Sequence, residues 1–185
     1  MLHYKKARLK WESYWFKTLG RWQSCPLTCP VDRPHHRHVF WSWFGSFVAI
    51  SVTSYLAVKT NSPLLMAPFG ATSVLIFGVP DSPLAQPRNV IGGNLLAAII
   101  SLIILHVFGT SPVAMGMAVS TAIGIMQMTG TVHPPSGAVA LVVMMTKPDW
   151  QFLLTPALEG SLILVLCAVV FNNLAEERTY PKHWF

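Results

Sequence analysis

The residues best suited to chemistry in this 185-residue chain are two short proline–glycine segments. One reads His133-Pro134-Pro135-Ser136-Gly137-Ala138 and the other Pro68-Phe69-Gly70-Ala71-Thr72. Proline suits the first position of a helix, where its missing N–H would have had no partner anyway. The residue before a proline is pushed toward extended backbone. His133 and Pro134 are therefore expected to be extended, with helices starting at Pro135 and Pro68. The N–H groups of Ser136, Gly137 and Ala138, and of Phe69, Gly70 and Ala71, would then be free. Free N–H groups at the positive end of a helix dipole suit a small anion. Gly70 and Gly137 lack side chains and would let a ligand approach the backbone. Thr72, Ser73, Thr131 and Ser136 offer hydroxyl donors. The plainer alternative is that proline and glycine only make a tightly packed crossing.

A few other polar groups could tune such a site. His133 could donate to an anion or carry a proton, or it could be a hydrogen-bonded histidine that fixes the turn. Glu159 is the only acid well inside an apolar stretch, which marks it as a functional candidate. A carboxylate repels an anion, so its role would concern a proton; a structural pairing with backbone or with Arg88 is the alternative. Asn94 and Gln127 are lesser candidates, and His106 sits near the end of a stretch. Cys25 and Cys29, followed by His35, His36 and His38, could bind zinc, but their spacing fits no common zinc module. The expectation is a proline-punctuated linker with free thiols, no metal and no cofactor.

These residues sit in an unusual body. Charged residues make up 11% of the chain, against about 25% in soluble domains, and the mean hydropathy is positive. Residues 40–174 hold only Lys59, Asp81, Arg88, Lys147, Asp149 and Glu159 as charged groups, whereas residues 1–39 are rich in Lys and Arg. A basic head before a nearly uncharged body is a membrane-protein pattern. The basic charge then meets lipid head groups, and nucleic acid is not an expected partner. No apolar core of a signal peptide precedes residue 40.

Residues 1–39 form a basic cytoplasmic segment in which Trp11, Trp15, Leu19 and Trp22 share one face of an interfacial helix. Apolar stretches at 40–58, 89–108, 112–128 and 152–174 are long enough to span a bilayer. Residues 175–185 form a cytoplasmic tail. The helices starting at Pro68 and Pro135 run only about half a bilayer before the next turn signal, which would set their starts near mid-membrane.

The two halves, residues 40–108 and 112–174, look like repeats. Pro68, Gly70, Ala71, Gly93 and Leu95 recur 67 positions later as Pro135, Gly137, Ala138, Gly160 and Leu162. Each half reads span, Pro-Gly-Ala half-helix, span. The fold class is thus an all-α polytopic membrane protein with four full spans and two broken or re-entrant helices. If the half-helices cross, there are six crossings and the repeats are inverted; if they are re-entrant, the repeats are parallel. The inverted version is preferred, being common among small transporters.

The stretch Met128-Thr129-Gly130-Thr131-Val132-His133-Pro134-Pro135-Ser136-Gly137-Ala138 resembles the signature of the HPP family of integral membrane proteins. Met66-Ala67-Pro68-Phe69-Gly70-Ala71 and Pro87-Arg88-Asn89 are similar to the same family, and the resemblance covers about residues 38–174. It implies a membrane protein usually described with four spans. Plant plastid and cyanobacterial members are associated with nitrite transport.

The combined expectation is passage of a small anion, nitrite first, through a mid-membrane site at the two half-helix starts. The protein would be no enzyme. It would lie in a bacterial inner membrane with both termini cytoplasmic, and a homo-oligomer stays open. A channel or carrier for another solute is the nearest alternative. A membrane enzyme would need His133 and Glu159 within hydrogen-bond reach, and a scaffold would have a dry, packed centre.

Overall fold

The computed structural model describes residues 34–184, apart from Glu177. Cys25, Cys29 and the tryptophan-rich stretch lie outside them. The described residues form an all-helical bundle. Four helices are long and apolar enough to cross a membrane: α1 (His36–Thr60), α3 (Pro87–Phe108), α4 (Pro112–Thr129) and α6 (Trp150–Leu174). Two shorter apolar helices lie between them, α2 (Pro68–Gly78) and α5 (Pro135–Thr146).

Local sequence explains most boundaries. Proline opens α2, α3, α4 and α5, where its fixed φ is already helical. Ser111 caps α4 by accepting from the Ala114 N–H at 3.1 Å. Asn61 ends α1 and Gly130 ends α4 in left-handed backbone, the usual helix stop. Helix α6 is broken at its start. A 3₁₀ turn and a wide turn containing Thr155 and Pro156 precede regular helix from Glu159.

Helix α3 is central and packs against α4, α5 and α6, while α1 packs on α6 and α2. The core is apolar and small-featured, built around Ala97, Ala98, Ala118, Ala122, Ala140 and Ala168. Small residues let helices approach closely where the hydrophobic effect gives no drive between them. Phe40, Trp43, Phe47, Val113, Ile123 and Met128 point outward. Such an apolar exterior fits a lipid surround.

Contacts fix which ends lie together. The start of α1 meets the end of α2, where Ser42 Oγ donates to the Phe77 carbonyl at 2.7 Å. The start of α3 meets the end of α4, where Arg88 donates to the Thr129 carbonyl at 2.7 Å. Arg178, just past α6, donates to the carbonyls of His38 (2.6 Å) and Phe77 (3.2 Å). These contacts mark one end, the tail end. At the opposite end, Thr110 after α3 reaches the Met144 carbonyl at 3.5 Å. There His106 stacks on Trp150 at 5.4 Å between ring centroids. Helix α2 therefore runs toward the tail end and α5 runs away from it.

Candidate functional site

The two half-helix starts correct one expectation. Ala67 (φ −52, ψ −40) and Pro134 (φ −53, ψ −40) are already helical rather than extended. The Phe69 and Gly70 N–H groups donate to the Met66 and Ala67 carbonyls at 3.0 and 3.1 Å. The Ser136 and Gly137 N–H groups donate to the His133 and Pro134 carbonyls at 2.9 and 3.1 Å. These donors are not free, because packing overrides the local bias before proline and lets a tight turn close each start.

The segment residues divide between two faces. Pro68, Phe69, Thr72, His133, Pro135 and Ser136 are buried. Gly70, Ala71, Pro134 and Ala138 are exposed and Gly137 is half-buried. A Cβ built at Gly70 or Gly137 meets nothing within 4 Å.

The inner face holds separate small groups of hydrogen-bonded polar side chains. His133 Nδ1 lies 2.9 Å from the Leu84 carbonyl, and its Nε2 lies 3.0 Å from Thr72 Oγ1. A carbonyl only accepts, so Nδ1 carries the proton and Nε2 accepts from the Thr72 hydroxyl. Both ring nitrogens are occupied, and the histidine ties α2, the α2–α3 linker and the start of α5 together. Beside it, Ser136 Oγ donates to Asn94 Oδ1 at 2.8 Å, and Asn94 Nδ2 donates to Ser161 Oγ at 2.9 Å. Thr131 pairs with Thr129 at 2.8 Å. Ser73 Oγ is buried without a partner among the described residues.

Replacing Asn94 with Leu strips this partner from Ser136 and Ser161. Interhelical hydrogen bonds in membrane bundles average about 0.6 kcal/mol. The expected loss is therefore only about 1 kcal/mol for the two, read as a small drop in melting temperature in detergent.

Other candidates fall elsewhere. Glu159 is exposed and accepts from Thr155 Oγ1 at 2.6 Å. It meets neither His133, whose partners are Thr72 and Leu84, nor Arg88, which is at the other end. Gln127 is exposed on α4. His106 Nδ1 is 2.8 Å from the Leu102 carbonyl. His38 Nε2 is 3.2 Å from the Gly78 carbonyl, and the His35 and His36 rings lean together at 3.9 Å. Among the described residues no group of three or more His, Cys, Asp or Glu side chains could hold a metal.

Two glycines clamp the half-helices from behind. A Cβ at Gly160 would lie 2.3 Å from Phe69 Cε2 and 2.6 Å from the Leu64 carbonyl oxygen. A Cβ at Gly93 would lie 2.8 Å from Ser136 Oγ and 3.0 Å from the Thr131 carbonyl oxygen. So α6 rests on the start of α2, and α3 rests on the start of α5.

A cavity of about 640 Å³ occupies the end away from the tail. It lies between the chain before α2 (Ser62, Met66, Ala67) and the broken start of α6 (Thr155, with Asp149 just before it), with Val142 of α5 in its wall. The exposed Gly70 and Ala71 lie one turn beyond Ala67. A second cavity of about 170 Å³, lined by Pro83, Gln86, Arg88, Asn89, Gly130 and His183, sits at the tail end.

The sequence reading missed the C-terminal residues. Tyr180 is buried and donates to the Ala85 carbonyl at 2.8 Å. Burial raises its hydroxyl pKa above the ordinary phenol value, which keeps the donor proton in place. Burial lowers the Arg178 pKa, against a smaller raising effect from Asp81. Arg178 also donates to Asn172 Oδ1 and Ser42 Oγ, at 3.0 and 2.9 Å. Nothing in the sequence near Tyr180 points to these partners.

The family described as HPP, transmembrane region, matches residues 31–181, which takes in every helix above. This chain belongs to the HPP family. Similar proteins of Dictyostelium discoideum include two that are described as transmembrane proteins. One is 40% identical over 98% of this chain and 68% of its own length. The other is 36% identical over 93% of this chain. The chain spans 58% of that second relative's length. No solved structure matches this HPP-family chain. It is a multi-pass membrane protein.

Proposed function

We infer that this protein passes a small anion across its membrane, with nitrite the first to test. The observation that carries the reading is the cavity of about 640 Å³ that leads from one end of the bundle to Ala67, at the start of α2. Beyond it the backbone is open at Gly70, as it is at Gly137. With the first N–H groups already bonded, the helix dipoles are what remain to attract an anion. Asp149 and Glu159 would repel one, so Glu159 is assigned a proton that travels with it. His133 is a positioning residue that holds the inner face. The reading is non-enzymatic.

Six crossings with inverted halves fit this role. Gly93 faces Ser136 and Thr131, and Gly160 faces Phe69 and Leu64. Each residue of the first set differs from its counterpart in the second by 67 positions. Asn94 and Ser161, bonded to each other, differ by 67 too. Residues related by a pseudo-two-fold axis make reciprocal contacts of this kind. The tail end is read as cytoplasmic, because Arg37, Arg88, Arg178 and Lys182 belong to it, against Lys59 and Lys147 opposite. The Dictyostelium relatives lend no support to a bacterial inner membrane. The paired centre favours a non-transporting scaffold as the second reading.

The test is nitrite uptake into proteoliposomes, with formate, nitrate and chloride as competitors. Gly70→Val and Gly137→Val are run beside the unmodified protein. Both are expected to fold, since their Cβ positions are open, and to lose most saturable uptake by crowding the path. Full uptake in both variants would remove the half-helix starts from the path. A folded protein that takes up none of these anions would leave the scaffold reading.

A further inference from the structure

The tail end carries a strap that, among the described residues, the opposite end lacks. Tyr180 is anchored from both sides. Its hydroxyl donates to the Ala85 carbonyl at 2.8 Å, and its N–H donates to Asn173 Oδ1 at 3.2 Å. The Asn173 amide returns a bond to the Tyr180 carbonyl. The next residues seize Gln86, whose Oε1 accepts from the Lys182 and His183 N–H groups at 2.8 and 3.3 Å. Gln86 Nε2 in turn donates to the Pro80 and Ser82 carbonyls at 3.0 and 2.8 Å. Lys182 also pairs with Asp81 at 3.1 Å, an exposed contact worth little by itself. Residues 178–183 thus lie across the linker between α2 and α3.

That linker is the counterpart of the chain that borders the large cavity. Shifted by 67 positions, Arg88, Asn89 and Gly130 correspond to Thr155, Pro156 and Pro63, all of which line the cavity of about 640 Å³. The tail-end cavity, lined by Arg88, Asn89, Gly130 and the strap's own His183, holds only about 170 Å³. Two equivalent places therefore differ in volume, and the smaller one has the strap in its wall. The linker also bears the Leu84 carbonyl that His133 Nδ1 uses, so strap, linker and central histidine are bonded in series.

We propose that residues 178–183 are a gate strap: while docked they hold the tail-end vestibule shut, and their release opens an Arg88-lined counterpart of the large cavity. The proposal rests on the inverted-repeat transport reading, and its first test does not depend on which solute moves.

Leu65 lines the large cavity, and its counterpart Val132 is absent from the lining of the small one. Single cysteines at these two positions, in a background with Cys25, Cys29 and Cys167 replaced, report on each vestibule. The probe is a charged thiol reagent added to the full chain in lipid nanodiscs, where both faces are accessible. With the strap intact, Leu65→Cys should react fast and Val132→Cys slowly. Tyr180→Phe removes one strap hydrogen bond, and Lys182→Pro removes a second together with the exposed pair to Asp81. Together they should raise the Val132→Cys rate roughly tenfold, as loss of one or two hydrogen bonds shifts a local opening equilibrium. The Leu65→Cys rate should not change, which also shows that the fold survives. A Val132→Cys rate unaffected by strap release, or already fast with the strap intact, would overturn the proposal. Accelerated labelling with no anion uptake would keep the strap and sink the anion reading alone.

Discussion

Gly160→Ala is expected to destabilise the bundle more than any other single methyl addition inside the described helices. Overpacking a core usually costs about 1–3 kcal/mol because neighbours shift to make room. Here the neighbours cannot. The added carbon would sit 2.6 Å from a backbone oxygen, that of Leu64, and 2.3 Å from the ring of Phe69, which is fully buried. Relief would require α6 to move off the start of α2, so the cost should reach or exceed the upper end of that range. Gly70→Ala is the matched control: the same methyl, on the helix α6 clamps, meets nothing within 4 Å. Melting temperature in detergent and the folded fraction on size exclusion should fall sharply for Gly160→Ala and hold for Gly70→Ala. Similar behaviour of the two would mean that the α6–α2 approach is looser than described. Phe69→Leu added to Gly160→Ala should recover only part of the loss, because the Leu64 oxygen stays in place.

His133→Ala is expected to be the most damaging loss of a polar side chain. It leaves the Leu84 carbonyl and the Thr72 hydroxyl without their partner and opens a hole at a fully buried site. An unpaired buried group costs about 1–3 kcal/mol, and large-to-small truncation adds a cavity term, so a total of about 3–5 kcal/mol is expected. Thr72→Val should cost less, since it strands only Nε2. Thermal unfolding of both variants and of the double variant checks this. Losses that add fully would mean the two side chains do not act as a pair. If the proposed nitrite uptake is found, a His133→Ala protein that still folds should keep the same KM for it, because both ring nitrogens are already bonded to Leu84 and Thr72. A KM that rose many-fold without loss of stability would return His133 to the binding site.

Much of the architecture was legible in advance. The charge gap from residue 40 onward marked the membrane body, and the stretches at 89–108, 112–128 and 152–174 fall within two residues of α3, α4 and α6. The half-helices have the short lengths that Pro68 and Pro135 imply, ending at Gly78 and Thr146. The state of the helix starts was not legible. The rule that a residue before proline avoids helix pointed to free donors, yet Ala67 and Pro134 are helical and the donors are bonded. The rule concerns local sterics, and a tight turn held by packing overrides it. Glu159 illustrates another limit. Its isolation among apolar residues was visible, but its partner, Thr155, depended on a break in α6 that hydropathy does not record.

The sequence by itself determined that this protein is helical, embedded in a membrane and divided by proline and glycine into these elements. Each of those outcomes depends on a property carried by a short window: transfer of apolar side chains, a missing N–H, a permitted left-handed turn. Only the tertiary structure decided that His133 bonds Thr72, that Asn94 joins Ser136 to Ser161, that Gly160 is pressed against Phe69 and Leu64 while Gly70 stands open, and that Tyr180 straps one end. Those choices join residues far apart in the chain. In an apolar bundle, where hydrophobic burial does not rank one helix face above another, close packing and the few available hydrogen-bond partners set them.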